Sequence, residues 1–283
     1  MGSIPFHLKE QMSSLGSALD ILRCFSAVAP DLGVTEVAGL LGMPKSSVSR
    51  LMKTMGEAGL LEQDDSRRTY RPGVLAFELG NLYQRHLKVL DLVDQSLKAL
   101  VDSTGLTGYV GVLNEADIIL IQVRQGTYPV RLVLEKGYRV PAFVTAMGLA
   151  LLARLADDEI AALYPSVPHY GETNLTKSFD ELIADIRRVR KRGFAQVAGT
   201  TFSGFSAIAV AVESSAEMQR LGFSLSFPNA ALTRARKDEV AIRMIEVARQ
   251  IGARTGDAYW KAWGRNSDTG RGAAVQGRAA LAA

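Results

Sequence analysis

Apolar residues near the start of the chain recur at helical spacing and give way to alternation further on. Leu15, Leu19, Leu22 and Phe25 lie four, three and three apart and predict one apolar face of a helix. Pro30 and Gly33 stop it. A second, short helix is expected behind Thr35 as its cap, with Val37, Leu40 and Leu41 turned inward and Gly42 as its left-handed end. A third follows at once. Pro44 sits in its first turn, Val48, Leu51, Met52 and Met55 fall at i, i+3, i+4 and i+7, and Gly59 ends it. Residues 60–71 predict two short strands around an Asp64-Asp65-Ser66-Arg67 turn. The order is a helix, a helix-turn-helix and a hairpin.

Beyond Pro72-Gly73 the spacing of Leu79, Leu82, His86, Leu90, Val93, Leu97 and Leu100 predicts a long helical stretch with a break between His86 and Lys88. After Gly105 the period changes to that of strands. Tyr109 to Leu113 and Ile118 to Val123, around a turn at Asn114 to Asp117, predict an antiparallel hairpin, and Val130 to Leu134 a further strand. Thr145 to Leu155 is small and apolar enough for a buried helix. Ser178 and Glu181 form a capping box ahead of a helix that uses Leu182, Ile186 and Val189. Strands follow at Phe194 to Val197, Ala207 to Val212 and Gly222 to Phe227, then a last helix through Val240, Met244, Val247 and Ile251. This mixture implies an α+β domain. From Gly264 the composition turns to Gly, Ala, Arg and Ser without period, as in a disordered tail.

Composition narrows the possibilities. With 283 residues, 47% of them hydrophobic, two domains are the default. The net charge of +4 decides little alone, because residues 1–73 hold eight basic and eight acidic side chains, so a polyanion-binding surface must come from segregating them. The single Cys24 excludes an intramolecular disulfide, and His7, His86 and His169 lack metal-site spacing, so no metal or cofactor is expected. Cys24 reads as inert packing on a buried helix, His86 as part of the linker helix and His169 as part of a proline-rich loop. No apolar run is long enough for a membrane span and no signal-peptide pattern opens the chain, which implies a soluble, cytoplasmic protein.

The segregation appears on the third helix. Opposite its apolar stripe lie Ser46, Arg50 and Lys53, flanked by Ser47, Ser49 and Thr54, and no acidic residue occurs between Met43 and Gly56. Such a helix can enter a DNA major groove, about 12 Å wide, with Lys45, Ser46 and Ser47 at the end where free amides favour phosphate. Arg67, Arg68 and Arg71 place a second basic group on the hairpin, suited to phosphate or minor-groove contact. Thr35, at the start of the second helix, completes the expected footprint. The plain alternative is a three-helix bundle with a solvated polar face.

With these residues in view the chain resembles the IclR family of bacterial transcriptional regulators. The segments that carry the likeness are Ala18-Leu19-Asp20-Ile21-Leu22, the stretch TEVAGLLGMPKSSVS from Thr35 to Ser49 with Arg50-Leu51, and Gly59-Leu60-Leu61 to Tyr70-Arg71-Pro72-Gly73. It continues through Gly137-Tyr138-Arg139-Val140-Pro141, Ala146 to Ala153, Val189 to Ala195 and Ala207 to Val212, and so covers roughly residues 15–256. The resemblance implies a GAF-like C-terminal domain that binds a small metabolite, and dimers or tetramers on palindromic operators. It places the effector pocket at Ala146, Met147, Ala207, Ser224 and Ser226, with Phe143 and Tyr109 as further candidates. For the two serines, plain strand alternation with an exposed polar face is the competing reading.

The sequence also departs from the family pattern. Ala142-Phe143 stand where a histidine is usual, Leu149 where a lysine is usual, Val197 to Thr200 where acidic residues are common, and Ala207 where a cysteine is often found. A less polar pocket and a larger, apolar or aromatic ligand are expected. An enzyme is not expected: Gly199 to Gly204 lacks the ending of a phosphate loop and no Gly-x-Ser-x-Gly elbow occurs. A C-terminal half serving only as an oligomerisation module is the other alternative. The expected layout is an N-terminal arm over residues 1–12, a winged helix-turn-helix over 13–73, a linker helix over 74–86, an effector-binding domain over 87–258 and a tail over 259–283. Dimer contacts are expected from the apolar seam of residues 15–25 and the linker helix.

Overall fold

The structure, a computed structural model, describes residues 13–26, 29–166, 169–170 and 175–263, with only the backbone of 169–170 and 175–176. The expected arm, including His7, and the expected tail beyond residue 263 lie outside these residues. The chain divides into two compact units, with the boundary after Leu87.

The first unit runs α1 (Ser14–Cys24), β1 (Leu32–Gly33), α2 (Val34–Leu41), α3 (Lys45–Glu57), β2 (Leu61–Asp64), β3 (Thr69–Pro72) and α4 (Val74–Arg85). The strands form an antiparallel sheet in the order β1-β3-β2. Ile21, Val37, Val48 and Met52 are wholly buried at the centre of the three-helix core. On α3 the buried positions Val48, Met52 and Met55 fall four and three apart, as expected.

Three expectations are corrected in this unit. On α1 the inward residues are Ser17, Ile21 and Cys24, while Leu15 and Leu19 are exposed at 68% and 47%. The helix carries two neighbouring apolar stripes of equal period, and periodicity alone does not say which one meets the partner helices. On α2, Val37 and Ala38 are buried and Leu40 faces outward. Thr35 does not cap α2. Pairing of Leu32 with Tyr70 and Gly33 with Thr69 keeps the chain extended through Gly33, which becomes the cap residue, and its amide donates to the Glu36 carboxylate at 2.7 Å.

The second unit comprises α5 (Lys88–Thr104), β4 (Thr107–Asn114), β5 (Asp117–Arg124), β6 (Arg139–Pro141), a 3-10 turn (Ala142–Val144), α6 (Ala146–Leu152) and α7 (Asp157–Leu163). It continues with β7 (His169–Tyr170), β8 (Leu175–Thr176), α8 (Phe179–Arg192), β9 (Ala195–Ala198), β10 (Phe205–Ser214), β11 (Gln219–Pro228) and α9 (Arg234–Thr255). Six strands make one antiparallel sheet in the order β6-β5-β4-β11-β10-β9. The short β7–β8 ribbon stands where His169 was expected in a loop.

Strand alternation divides the sheet's two faces. Ile208, Val210 and Val212 of β10 and Leu221, Phe223, Leu225 and Phe227 of β11 are buried on the side that carries α5 and α9. Ala207, Ala209 and Ala211 of β10 and Gly222 of β11 turn to the other side, where α6 lies between the sheet and α8. Every residue of α6 is buried, and Thr145 caps it by accepting from the Gly148 amide at 2.8 Å.

Residues 130–134 are not a strand. The outer edge of β5 is taken by β6, which pairs Ile118 with Val140, and by hydrogen bonds between Leu120 and both Gly137 and Tyr138. Val130 and Val133 are left exposed and Leu132 and Leu134 half-buried. The ordered chain also runs past the expected end of the domain at residue 258. Residues 258–263 are helical, and Trp260 is buried with its Nε1 donating to the Ala211 carbonyl at 2.8 Å. Asp257, with no exposed surface, organises that turn. It accepts from the amides of Glu213 at 2.8 Å and Tyr259 at 3.0 Å, and pairs with Arg154 at 2.5 Å.

A Cβ added at Gly148 would stand 2.0 Å from the Ala142 carbonyl oxygen and 2.4 Å from the Ala142 Cα, both backbone atoms that cannot rotate away. Gly148→Ala is therefore expected to lower stability by about 1–3 kcal/mol, read as a fall in the midpoint of equilibrium urea unfolding. An unchanged midpoint would show that α6 is free to withdraw from the turn before it.

Candidate nucleic-acid interface and ligand cavity

Packing of Val48, Met52 and Met55 into the first unit's core leaves the opposite face of α3 to solvent, where Lys45, Ser46, Ser49, Arg50 and Lys53 are exposed and Ser47 half-buried. Lys53 is within 3.9 Å of Glu57 with both side chains well exposed, a pairing that solvent screens heavily. Lys45 and Arg50 have no ion pair among the described residues. Thr35 is exposed in the first turn of α2.

The hairpin separates its three arginines. Arg71 lies directly across from Glu62 and donates to its carboxylate through Nε at 3.2 Å and Nη2 at 3.0 Å. Arg67 is 3.9 Å from Asp64. Arg68, exposed at the tip in the left-handed conformation with φ 54°, has no ion pair among the described residues. The tip is shaped by Asp64, whose Oδ1 accepts from the Ser66 hydroxyl at 2.6 Å, the Ser66 amide at 2.9 Å and the Arg67 amide at 3.1 Å. The Ser66 hydroxyl, followed by the Arg67 amide, holds the Asp64 carboxyl below its ordinary range, so it stays ionised at neutral pH.

In the second unit a cavity of about 80 Å³ opens between α6 and the sheet. Six of the seven residues expected at a ligand pocket line it: Tyr109, Ala146, Met147, Ala207, Ser224 and Ser226. Both serines are buried, so their alternation is that of a polar pair facing inward, and the reading with an exposed polar face is set aside. Phe143 is the exception. It sits in the core, edge-on to Tyr164 with ring centroids 6.1 Å apart, because the 3-10 turn swings it to the far side of α6's start.

Residues 130–134 supply lining that the sequence reading missed. Leu132 and Leu134 close one side of the cavity, joined by Thr145, Val197, Thr201, Phe202 and Phe205. The largely apolar run Val130-Arg131-Leu132-Val133-Leu134 that suggested a strand is the available signal there, and it does not say which residues turn inward. None of the lining residues is charged. The Thr201 hydroxyl donates to the Val144 carbonyl at 2.6 Å, and the Tyr109 hydroxyl donates to the Leu132 carbonyl, tying the covering segment to the sheet. Burial pushes the Tyr109 phenol up to about 12, which keeps it protonated as that donor. Among the described residues, no group of three or more His, Cys, Asp or Glu could hold a metal ion, and no helix is long and apolar enough to cross a membrane.

Comparison with known proteins joins the two sites. Residues 14–65 match the family described as the IclR helix-turn-helix domain, and residues 82–253 match the bacterial transcriptional regulator IclR C-terminal domain. The HTH-type transcriptional regulator KdgR of Escherichia coli K12 is 28% identical over 252 residues, 88% of this chain and 96% of the relative. A solved IclR transcriptional regulator from Alicyclobacillus acidocaldarius shares the fold with a TM-score of 0.73 at 22% identity, covering 86% of this chain and 99% of the other. An IclR homologue from Microbacterium hydrocarbonoxydans, solved with 4-hydroxybenzoate, gives 0.70 at 17% identity over 88% of this chain and all of the other.

Tyr109→Phe removes the phenol hydroxyl that holds the Leu132 carbonyl to the sheet while keeping the ring in place. A loss of about 1 kcal/mol in stability is expected, together with faster amide exchange confined to residues 125–138. Unaltered exchange in that segment would show that the apolar contacts of Leu132 and Leu134 hold it unaided.

Proposed function

The chain belongs to the IclR family of bacterial transcriptional regulators, and from that footing we propose which surfaces read DNA and which chemistry the regulator senses. It is a DNA-binding regulator; the assignment of individual residues is our reading. The observation that carries it is the outward face of α3, on which Lys45 and Arg50 stand exposed and without a carboxylate partner among the described residues. We assign Ser46, Ser47, Ser49, Arg50 and Lys53 to the major groove and its flanking phosphates, with Lys45 and Thr35 at the backbone. Arg68 is the arginine of the hairpin suited to phosphate or minor-groove contact, Arg67 assists it, and Arg71 serves chiefly to brace the strands through Glu62.

The effector reading rests on the uncharged cavity. We propose that it takes a small catabolic metabolite with an aromatic or apolar body, oriented by Ser224, Ser226, Thr145 and the first amides of α6. The relative solved with 4-hydroxybenzoate supports an aromatic ligand for this fold. At about 80 Å³ the cavity is smaller than the roughly 150 Å³ that admits benzene in an engineered core. A ring that enters by moving Leu132 and Leu134 aside breaks the tie from Tyr109 with them. A ligand that favours the displaced arrangement shifts the population between two states and with it the affinity for DNA. The cavity between α6 and the sheet favours this over a C-terminal half that only oligomerises, and relatives that are named regulators favour it over an enzyme.

We further propose a homodimer or homotetramer in the bacterial cytoplasm. No residue of α4 is buried, and Val74, Phe77, Leu79 and Leu82 are each more than half exposed, as is Leu15 on α1. An apolar helix left uncovered in this way fits a second copy of the chain, which also supplies the second recognition helix for a half-site about 34–36 Å away, or a multiple of that.

Binding to retained genomic fragments, measured at two salt concentrations, tests the interface. Arg50→Ala is expected to cost about 1–3 kcal/mol and to relax base preference, Arg68→Ala to weaken all sequences alike with a shallower salt slope, and Arg71→Ala to act mainly on hairpin stability. Wild-type affinity in both Arg50→Ala and Arg68→Ala would count against the footprint. For the effector, hydroxylated aromatic acids are expected to raise the melting temperature, and a screen in which only glyoxylate or pyruvate does so would refute the apolar reading. Phe77→Glu is expected to shift the molecular mass in light scattering toward the monomer; an unchanged mass would place the contacts elsewhere.

A further inference from the structure

A second cavity, of about 220 Å³, lies beside the first and shares only Val197 with it. Its polar lining is Lys177, Asp185, Arg188, Arg192, Gln196 and Thr200, drawn from α8, the residues before it, β9 and the residues after that strand. Three cations face one carboxylate, so the lining carries a net charge of two positive. Asp185 is divided between Lys177 and Arg188, each of which forms an ion pair with it. Lys177 and Asp185 are mostly enclosed, with side chains 17% and 19% exposed.

Of the other cations of α8, Lys191 is exposed and does not line the cavity, and Arg187 and Arg190 are engaged elsewhere. Arg187 and Arg190 both reach Asp157, and Arg190 also donates to the carbonyls of Ala153 and Leu155. Those contacts make structural fasteners of Arg187 and Arg190. The side chains of Arg192 and Gln196, on the wall of the cavity, have no hydrogen bond or ion pair among the described residues, although Gln196 pairs with Ile208 through its backbone. Burial, opposed in part by the Glu181 carboxylate and aided by the Arg188 guanidinium, holds the Lys177 ammonium below the usual lysine range, and a bound anion would relieve that cost.

We propose that this cavity is a second ligand site, distinct from the apolar one, and that it takes a compact oxyanion with two negative charges, a dicarboxylate or a phosphate. The planar fork of Arg192 suits either group bidentately, Lys177 supplies a point charge and Gln196 an amide donor. The match is one of number as well as sign, because two negative charges neutralise the lining and a single one leaves half of it uncompensated.

The test uses the full chain, with thermal unfolding and titration calorimetry in sodium succinate and in sodium phosphate, each against chloride at equal ionic strength, and with neutral succinamide as a control. Saturable stabilisation by succinate or by phosphate is expected, and whichever acts assigns the group. Arg192→Gln, at an exposed position whose loss circular dichroism can show to leave the fold intact, is expected to weaken binding at least about tenfold, the loss of one charge-assisted contact. Lys177→Gln is expected to do likewise, whereas Ala207→Leu, which fills the first cavity, leaves the anion's affinity unchanged and abolishes only the response to aromatic ligands. Absence of saturable binding by both anions overturns the proposal. So does binding that survives Arg192→Gln, or that succinamide reproduces.

Discussion

The close approach of α6 to the sheet is the constraint on which the second unit depends. Two glycines of the sheet allow it, and a third, in the helix, lets the helix meet the turn before it. A Cβ at Gly222 would stand 2.6 Å from the Met147 Cγ, one at Gly111 2.7 Å from its sulfur, and one at Gly148 would run into the backbone of Ala142. A helix of seven residues has little stability of its own, so it persists because the sheet, the 3-10 turn and α8 enclose it. Held there, its first residues stand over Ala207, Ser224 and Ser226, and a cavity forms where side chains are too small to fill the gap. The small residues thus both seat the helix and leave room beside it.

Where a pattern had a single physical solution, it was legible in the sequence. Val48, Met52 and Met55 could turn inward only by presenting Ser46, Arg50 and Lys53 to solvent, and Ser178 with Glu181 marked the start of α8 through a reciprocal hydrogen-bonded box. Where two solutions were equally periodic, the sequence was silent. Leu15 and Leu19 satisfy helical spacing as well as Ile21 does, yet contact with α2 and α3 selects the Ile21 side. Residues 130–134 are mostly apolar and partly β-branched, as a strand would be, but the sheet edge they would need is occupied by β6. In each case the deciding information lies in a distant segment.

The cavity was only partly legible for the same reason. Ser224 and Ser226 gave a weak signal alone, and their inward direction follows from pairing with β4 and β10, which fixes the face of β11 they share with Gly222. Of the positions at which the chain departs from the family pattern, Ala207 reaches this cavity and Val197 reaches both, whereas Phe143, Leu149, Ala198 and Thr200 line the polar one next to it. On the hairpin, counting arginines overstated the free charge, because Glu62 lies opposite Arg71 in register and claims it.

The Asp257 carboxylate bears on any attempt to shorten this protein. It neutralises Arg154, whose side chain is only 5% exposed and whose guanidinium lies 4.2 Å above the Tyr259 ring, and it anchors the turn that seats Trp260 against β10. The family-wide match ends at residue 253, a natural place to stop an expression clone. A clone cut there would strip a buried guanidinium of its nearer counterion and its aromatic cover, leave it only Glu213 at 3.7 Å, and uncover the strand at Ala211, so the seemingly dispensable end of the chain behaves as the plug of the domain.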